Sequence, residues 1–384
     1  MKKNVLLIVP LLHQGGLERI CAMTAKLLLP YCNVTMVIFS KKDMIYDVSG
    51  IELIDLDLYA APTKVGKVIN LIKRIRAIKK IKRDYHIDIA YSFGPSATLP
   101  NIYARTGDKI WAGIRAYGAI EDKKVMKQIC RYADKIICCS EVMRQTVNEL
   151  YGVDNTICLY NPCDVNMIRE KAEETPQEHR DFFATDAPIL ASMGREDDVK
   201  GFWHLIKAFA LAKKRIPELK LMIIGEGTFV EYRKLARELQ VEKDVLFTGV
   251  QVNPFPYLKY ASLYVMTSIS EGFPNALIEA MAIGIPVMSV NCKSGPAEIL
   301  LEDYQRGKDE NRVIQGEYGV LLPVINPEKN LDTTVIEREE KIIAEQIAEV
   351  LSDTDKIEER RLASLKRAED FSIEVYMKRL LCMI

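Results

Sequence analysis

The chain has 384 residues, long for one ordinary core and suited to two domains, and its 48% apolar and 28% charged content without a polar low-complexity tract excludes a disordered chain. Net charge is zero, yet residues 1–160 carry 24 Lys and Arg against 15 Asp and Glu, leaving 29 against 38 in the remainder, so the first part is +9 and the second −9. Such asymmetry points to a basic half that faces an anionic surface.

In chain order, Lys2-Lys3 and the apolar run Val5 to Leu12 have the outline of a signal peptide. Gly15-Gly16-Leu17-Glu18-Arg19 follows instead of a small-residue cleavage site, so the run reads as a first β-strand. Short β-branched runs then alternate with helical patterns: Val34 to Ser40, Ile51 to Leu56, Ile87 to Phe93, Ile110 to Ile114, Lys135 to Cys139 and Thr156 to Leu159. Runs this short and apolar predict a parallel sheet covered by helices on both faces.

The stretch from Asn161-Pro162 to Asp186 loses the strand pattern and reads as a linker, after which a second series begins. Its strands are Ile189 to Met193, Leu219 to Ile224, Val245 to Phe247, Leu263 to Met266, Ile285 to Val290 and Gly319 to Leu322. Helices are expected over Trp203 to Lys214, Val230 to Leu239 and Asn275 to Ile283. Beyond Pro327 the pattern is helical, over Ile336 to Leu351, Lys356 to Phe371 and Ile373 to Cys382. The expected organisation is α/β, two tandem Rossmann-like doubly wound domains facing a cleft. They span 1–170, joined by a returning C-terminal helix at about 366–384, and 171–365.

Nine scattered cysteines without Cys-x-x-Cys or Cys/His spacing read as reduced thiols, pointing to the cytoplasm and away from a disulfide framework or a zinc site. No apolar run approaches the ~20 residues that span a bilayer, so membrane contact is expected to be peripheral. The segment Lys64 to Arg83 places Val68, Leu71, Ile72, Ile75, Ile78 and Ile81 at helical spacing among cations that include Lys73, Arg74, Lys79 and Lys80. This basic amphipathic helix either packs its apolar stripe on the sheet or meets an anionic leaflet with those four cations.

The richest segment for chemistry runs from Ser268 to Ala282, a strand, a glycine-containing loop and a helix. Pro274 suits a first helical turn, which leaves the N–H groups of Asn275, Ala276 and Leu277 as an anion site, while Glu271 and Glu279 bracket whatever sits there. Gly194-Arg195 ends the first strand of the second domain and Lys200-Gly201 opens the next helix. Two cations at the carboxyl end of a strand suit a diphosphate. Gly225-Glu226-Gly227 and Phe247-Thr248-Gly249 add further strand ends to the same crevice. Gly15-Gly16 sits where a phosphate-binding turn would, but it is not Gly-x-Gly-x-x-Gly, and Phe39-Ser40-Lys41 supplies no acidic strand end, so a dinucleotide cofactor is disfavoured. Asp55-Leu56-Asp57 has an Asp-x-Asp form but continues a period-two alternation and reads as a solvated strand end.

These residues resemble the two-domain retaining glycosyltransferases of family 4 along nearly the whole chain. The resemblance rests on Gly15 to Arg19, Gly194-Arg195 with Lys200-Gly201, Glu271 to Ala282, and Ser294-Gly295-Pro296-Ala297-Glu298-Ile299-Leu300. It implies that Arg195 and Lys200 hold a diphosphate, that Glu271 faces the donor sugar within the loop that includes Gly272 and Phe273, and that Glu279 holds the ribose. Gly227 and Phe247 would flank the base, and the Gly15-Gly16 backbone would approach the phosphates.

Where relatives carry a pocket histidine, this chain reads Ile114-Arg115-Ala116-Tyr117, so Arg115 is either a source of charge for the acceptor or leaving phosphate or a structural arginine. Asn291 stands where many relatives have an acid. The implied reaction is sugar transfer from a nucleoside diphosphate, UDP more than GDP, to a glycan or lipid-linked acceptor at the inner face of the plasma membrane, with no metal, no cofactor and no nucleic acid. A sugar-nucleotide epimerase and a non-catalytic membrane-associated partner are the competing readings.

Overall fold

The computed structural model describes residues 2–176, 178–308 and 311–384. The chain divides into two compact units, one formed by Met1–Pro162 with Tyr376–Ile384 and the other by Cys163–Val375.

The first unit is built on seven strands: β1 Asn4–Val9, β2 Asn33–Ile38, β3 Glu52–Asp55, β4 Ile89–Phe93, β5 Lys109–Ile114, β6 Lys135–Cys138 and β7 Thr156–Cys158. They lie in the order β3-β2-β1-β4-β5-β6-β7 and every neighbouring pair is parallel. Leu6, Ile8, Val37 and Ala90 face a core closed by Ile78, Ile81 and Ala97 from the covering helices, which is why these strands read as continuous apolar runs.

The second unit repeats the plan with β8 Ile189–Met193, β9 Lys220–Ile224, β10 Val245–Phe247, β11 Leu263–Met266, β12 Val287–Val290, β13 Ile314–Gln315 and β14 Val320–Leu322. The order is β10-β9-β8-β11-β12-β14-β13, parallel except for β13, which pairs antiparallel with β14. Two residues are too few to show a period, so β13 left no signature in the sequence. Both sheets reverse direction of growth once, between β1 and β4 and between β8 and β11. In open α/β sheets that reversal opens a crevice at the carboxyl ends of the strands.

The two expected Rossmann-like sheets are therefore present, but the boundaries between units differ from the sequence reading. The division falls at Pro162, not near residue 170, because helix Val165–Ala172 buries Val165, Ile168 and Ala172 and packs against helices Asn275–Ile283 and Phe255–Leu258 of the second unit. At the other end only Tyr376–Ile384 returns. Helices Arg338–Ser352 and Thr354–Glu369 stay on the second unit, against helices Phe202–Ala212 and Asn275–Ile283 respectively. The returning segment is tied to the first unit by Tyr376, whose hydroxyl lies 2.7 Å from Thr24 Oγ1, and by Lys135 Nζ, which donates to Met383 O at 3.1 Å.

Helix Lys64–Asp84 is a single 21-residue helix with Thr63 as its cap, whose side chain accepts from Gly66 N–H. Its apolar residues do not form one stripe. Ile78 and Ile81 are buried on the protein and Ile75 packs beside them, whereas Val65, Val68, Ile69 and Ile72 are exposed. Lys82 is also buried, paired with Asp108 at 2.8 Å. Arg74 departs from its expected surface role: it donates to Leu58 O at 2.6 Å and its guanidinium lies 4.1 Å from the Phe39 ring centre. On the helical wheel it falls on the docked side with Ile78, so its long stem covers the sheet.

Candidate active site

The second unit brings its candidate residues to the reversal between β8 and β11. Arg195 and Lys200 follow β8, and Glu271 follows β11. Lys200 Nζ donates to Glu271 Oε1 at 2.7 Å, with both side chains largely shielded from solvent. Arg195 stands more open and reaches Asp197 at 3.5 Å. The two loops are stitched by hydrogen bonds to the main chain: Ile269 N–H donates to Val199 O at 2.7 Å, and the Thr267 hydroxyl donates to Lys200 O at 3.1 Å. Gly201, at φ +59°, lies so close to β11 that a Cβ there would stand 2.2 Å from Thr267 O. The approach of the two loops therefore depends on a glycine at that position.

Glu279 lies on helix Asn275–Ile283 and is buried, so it is not a solvated surface carboxylate. Tyr264, buried on β11, accepts from Met193 N–H at 3.2 Å. Burial, and after it the charges of Glu279 and Glu271, push its phenol well above the usual range, so both carboxylates lie within electrostatic reach of this phenol.

Asn275, Ala276 and Leu277 do begin a helix, but Pro274 is its cap residue rather than its first turn, and Leu277 N–H already bonds Pro274 O at 3.2 Å. Of the three expected donors, Leu277 is thus committed within the turn. Gly272 is held from the neighbouring loop after β12, and Phe273 from the segment after helix Thr354–Glu369. Ser294 Oγ donates to Gly272 O at 2.6 Å, and Phe273 meets Phe371 edge-on at 5.2 Å between ring centres. The Cys292 thiol bonds the backbone of Glu271 and Ser294, and burial, then the Glu271 charge, push it up to about 12. It is therefore a neutral neighbour of the Lys200–Glu271 pair. Asn291 is buried and donates to Gly307 O at 2.6 Å, a structural role where relatives were expected to carry an acid.

The base side departs from expectation at Phe247. Its ring is buried, stacked on Phe229 at 4.9 Å between centres, with the Arg233 guanidinium 4.8 Å from its centre. Both neighbours occupy the ring, so only the Phe247 main chain is left at the strand end. Gly225 N–H bonds Gly249 O at 3.1 Å, joining the turns after β9 and β10. Gly227, at φ +150°, lies against Glu196, whose Oε2 accepts from Phe229 N–H at 2.7 Å and from Thr228 Oγ1 at 3.3 Å. Sequence reasoning assigned no role to Glu196 or Ser294, although Ser294 opens a motif that carries the resemblance. A polar residue directly after Gly194-Arg195 and a serine opening Ser294-Gly295-Pro296 were the available signals.

In the first unit Gly15 caps helix Gly16–Leu28. The Tyr46 hydroxyl donates to Gly15 O at 2.9 Å. The Glu18 carboxylate folds back over the turn, 3.4 Å from His13 Nδ1, and fills the space a Gly15 Cβ would need. An incoming phosphate would have to displace that carboxylate. Arg115 directly follows β5 and donates to Asn161 Oδ1 at 2.7 Å and to the Tyr91 hydroxyl, with its guanidinium 5.2 Å from the Phe93 ring centre. Tyr376 bonds it as well, and burial pushes the Tyr91 and Tyr376 phenols above their ordinary value, so they meet Arg115 as neutral oxygens. The Asp57 N–H is used locally by Asp55 Oδ1 at 2.9 Å.

The end of this sheet thus brings the cations Arg195 and Lys200 near the carboxylate of Glu271, with Glu279 buried on the following helix. Residues 174–308 match the family model described as Glycosyl transferases group 1. The chain is 28% identical over 333 residues to an uncharacterized glycosyltransferase of Methanocaldococcus jannaschii, covering 80% of this chain and 82% of that one. It is 27% identical to the Campylobacter jejuni N-acetylgalactosamine-N,N'-diacetylbacillosaminyl-diphospho-undecaprenol 4-alpha-N-acetylgalactosaminyltransferase, covering 82% and 84%. Among solved structures it is similar to Anabaena HepE in complex with UDP and glucose, with a TM-score of 0.71, 16% identity and 99% of each chain covered. The chain therefore shares the two-sheet fold of that structure, and within it residues 174–308 are similar to the Glycosyl transferases group 1 model.

Proposed function

We propose that this protein is a retaining, metal-independent glycosyltransferase of family 4. It moves a hexose or N-acetylhexosamine from a UDP-sugar to a lipid-linked glycan in the assembly of a cell-surface polysaccharide. The observation that carries this reading is the Lys200–Glu271 pair, at 2.7 Å, where the sheet order reverses. Arg195 and Lys200 neutralise the diphosphate as it leaves, and Glu271 exchanges its bond with Lys200 for the hydroxyls of the donor sugar. Glu279 receives the ribose, and the main chain at Gly227 and Phe247 borders the base.

The acceptor hydroxyl attacks from the face that the diphosphate leaves, and the departing phosphate oxygen takes its proton. The C–O bond to the acceptor forms as the C–O bond to the diphosphate breaks, so no protein nucleophile is needed. Catalysis then rests on charges fixed in advance around the developing diphosphate and oxocarbenium-like sugar. The first unit serves the acceptor, with Arg115 held by Asn161 and Tyr91 as its fixed positive charge.

The Campylobacter relative, by its name, acts on a diphospho-undecaprenol substrate, and the Anabaena structure holds UDP and glucose, which supports a UDP-sugar donor and a lipid-linked acceptor here. No helix among the described residues is long and apolar enough to cross a membrane; in this reading the protein meets such an acceptor from the cytoplasmic surface of the plasma membrane. The test is UDP release from a panel of UDP-sugars, with and without lipid-linked acceptor extracts, alongside thermal shifts with each nucleotide. UDP release that depends on acceptor is expected. Stabilisation by GDP-mannose alone would overturn the donor, and product with an inverted anomeric centre would overturn the mechanism.

A further inference from the structure

Three helices of the first unit, Lys64–Asp84, Pro95–Tyr103 and Lys123–Tyr132, form one surface, the middle one packing against both others. On the first, Val65, Val68, Ile69 and Ile72 are 71%, 58%, 47% and 44% exposed. At 3.6 residues per turn they share an arc of about 100°. That arc lies opposite the buried Ile78 and Ile81. Arg76, Lys79, Lys80 and Arg83 continue the same outward side, so it passes from apolar to cationic along the helix. Beside it lies an open groove of about 530 Å³ with Leu71, Leu99, Tyr103 and Val125 in its walls and Lys124 and Lys127 among its lining residues.

The charges on this surface are almost all of one sign. Lys64–Asp84 holds nine Lys and Arg, Lys123–Tyr132 holds four and Pro95–Tyr103 none, against a single carboxylate, Asp84, which pairs with Lys80 at 2.5 Å. Asp122, just before the third helix, is occupied in accepting from Lys124 and Val125 N–H. Lys82 and Arg74 are withdrawn by Asp108 and by the Leu58 carbonyl, and the other cations reach solvent.

We infer that this three-helix surface docks on an anionic lipid leaflet. Val65, Val68, Ile69 and Ile72 enter the interface, and Lys124 and Lys127 across the groove bind phosphate headgroups together with Lys73, Arg76 and Lys80. Charge complementarity selects a polyanion, and the exposed aliphatic stripe selects a leaflet over a nucleic acid, which is gripped by cations and aromatic stacking. The inference deepens the proposed function by naming the surface that meets the membrane, and it rests on that reading for its purpose only.

The test is sedimentation of the full chain with mixed phosphatidylglycerol–phosphatidylcholine vesicles and with pure phosphatidylcholine vesicles. Binding to the anionic vesicles alone is expected. A cation near such a surface is worth about fivefold in partition, so Lys124→Glu with Lys127→Glu should weaken binding by roughly twentyfold or more. Val68→Ser with Ile72→Ser should weaken it as well. Ile72→Trp reports insertion, because Trp111 and Trp203 are buried, and its emission should shift to the blue on anionic vesicles. Thermal shifts with UDP should match wild type in every variant, which separates a failed docking surface from a failed donor site. Wild-type partition of the Lys124→Glu, Lys127→Glu chain, or an Ile72→Trp emission unmoved by vesicles, would overturn the inference, as would tighter binding to a nucleic acid of equal charge.

Discussion

Lys200 and Glu271 are 71 residues apart in the chain and meet at 2.7 Å, each occupying the hydrogen-bonding position that a donor substrate would claim from the other. In the proposed function, donor binding exchanges one of these charged partners for another. Replacing Lys200 or Arg195 with alanine removes a fixed cation from the developing diphosphate, a loss of about 2–4 kcal/mol, or on the order of a hundredfold or more in turnover. The fold should survive. Initial rates of UDP release with the thermal midpoint measured in parallel check this, and near-normal rates in both variants would remove the phosphate site from this crevice.

If the cations of the reaction are Arg195 and Lys200, activity should persist in excess EDTA. Complete loss restored by manganese would point to a metal. In the same assay Glu271→Gln should cost far more than Asp57→Asn, because Asp57 is exposed and its backbone is engaged only in the local turn with Asp55. The reverse order would move the donor site to the first unit.

The loop after β12 holds the Glu271 loop at two points, and the two should separate in experiment. Ser294→Ala removes the bond to Gly272 O, a neutral hydrogen bond whose loss costs roughly 1–3 kcal/mol when the acceptor is left buried. Gly295→Ala is expected to be worse. It places a Cβ at φ +97° and 2.4 Å from Pro274 Cδ, so either the backbone or the start of helix Asn275–Ile283 must move. Denaturant melts should rank Gly295→Ala below Ser294→Ala, with the KM for the UDP-sugar raised in both. An unchanged KM in Gly295→Ala would mean the loop does not depend on this contact.

Asp108→Asn should strand the buried Lys82 ammonium and destabilise the first unit by about 3–5 kcal/mol. Burial already holds Lys82 below its ordinary value. The folded state therefore releases this proton at lower pH than the unfolded state, and the penalty of the buried charge eases as pH rises from the folded value toward the unfolded one near 10.5. Urea unfolding should show a smaller gap between wild type and variant in alkaline buffer than at neutral pH. A gap that widened would mean Lys82 is not the group left unpaired.

The sequence by itself determined the two sheets, because strands buried on both faces must be short and apolar, as in Leu263–Met266 and Ile189–Met193. It also marked the glycines, cations and carboxylates at their ends, since such groups seldom follow a buried strand without a use. Tertiary structure decided what depends on neighbours distant in the chain. Phe247 was drawn into the core by Phe229 and Arg233, Arg74 was turned inward by Leu58 and Phe39, and Lys82 was neutralised by Asp108. Helical spacing could show that Lys64–Asp84 is amphipathic, but not which side it buries, because a periodic pattern fixes relative angles and leaves the docking rotation to the partner surface. The joining of that helix to Lys123–Tyr132 across Pro95–Tyr103 likewise belongs to the packing of the sheet's covering layer, which no single segment encodes.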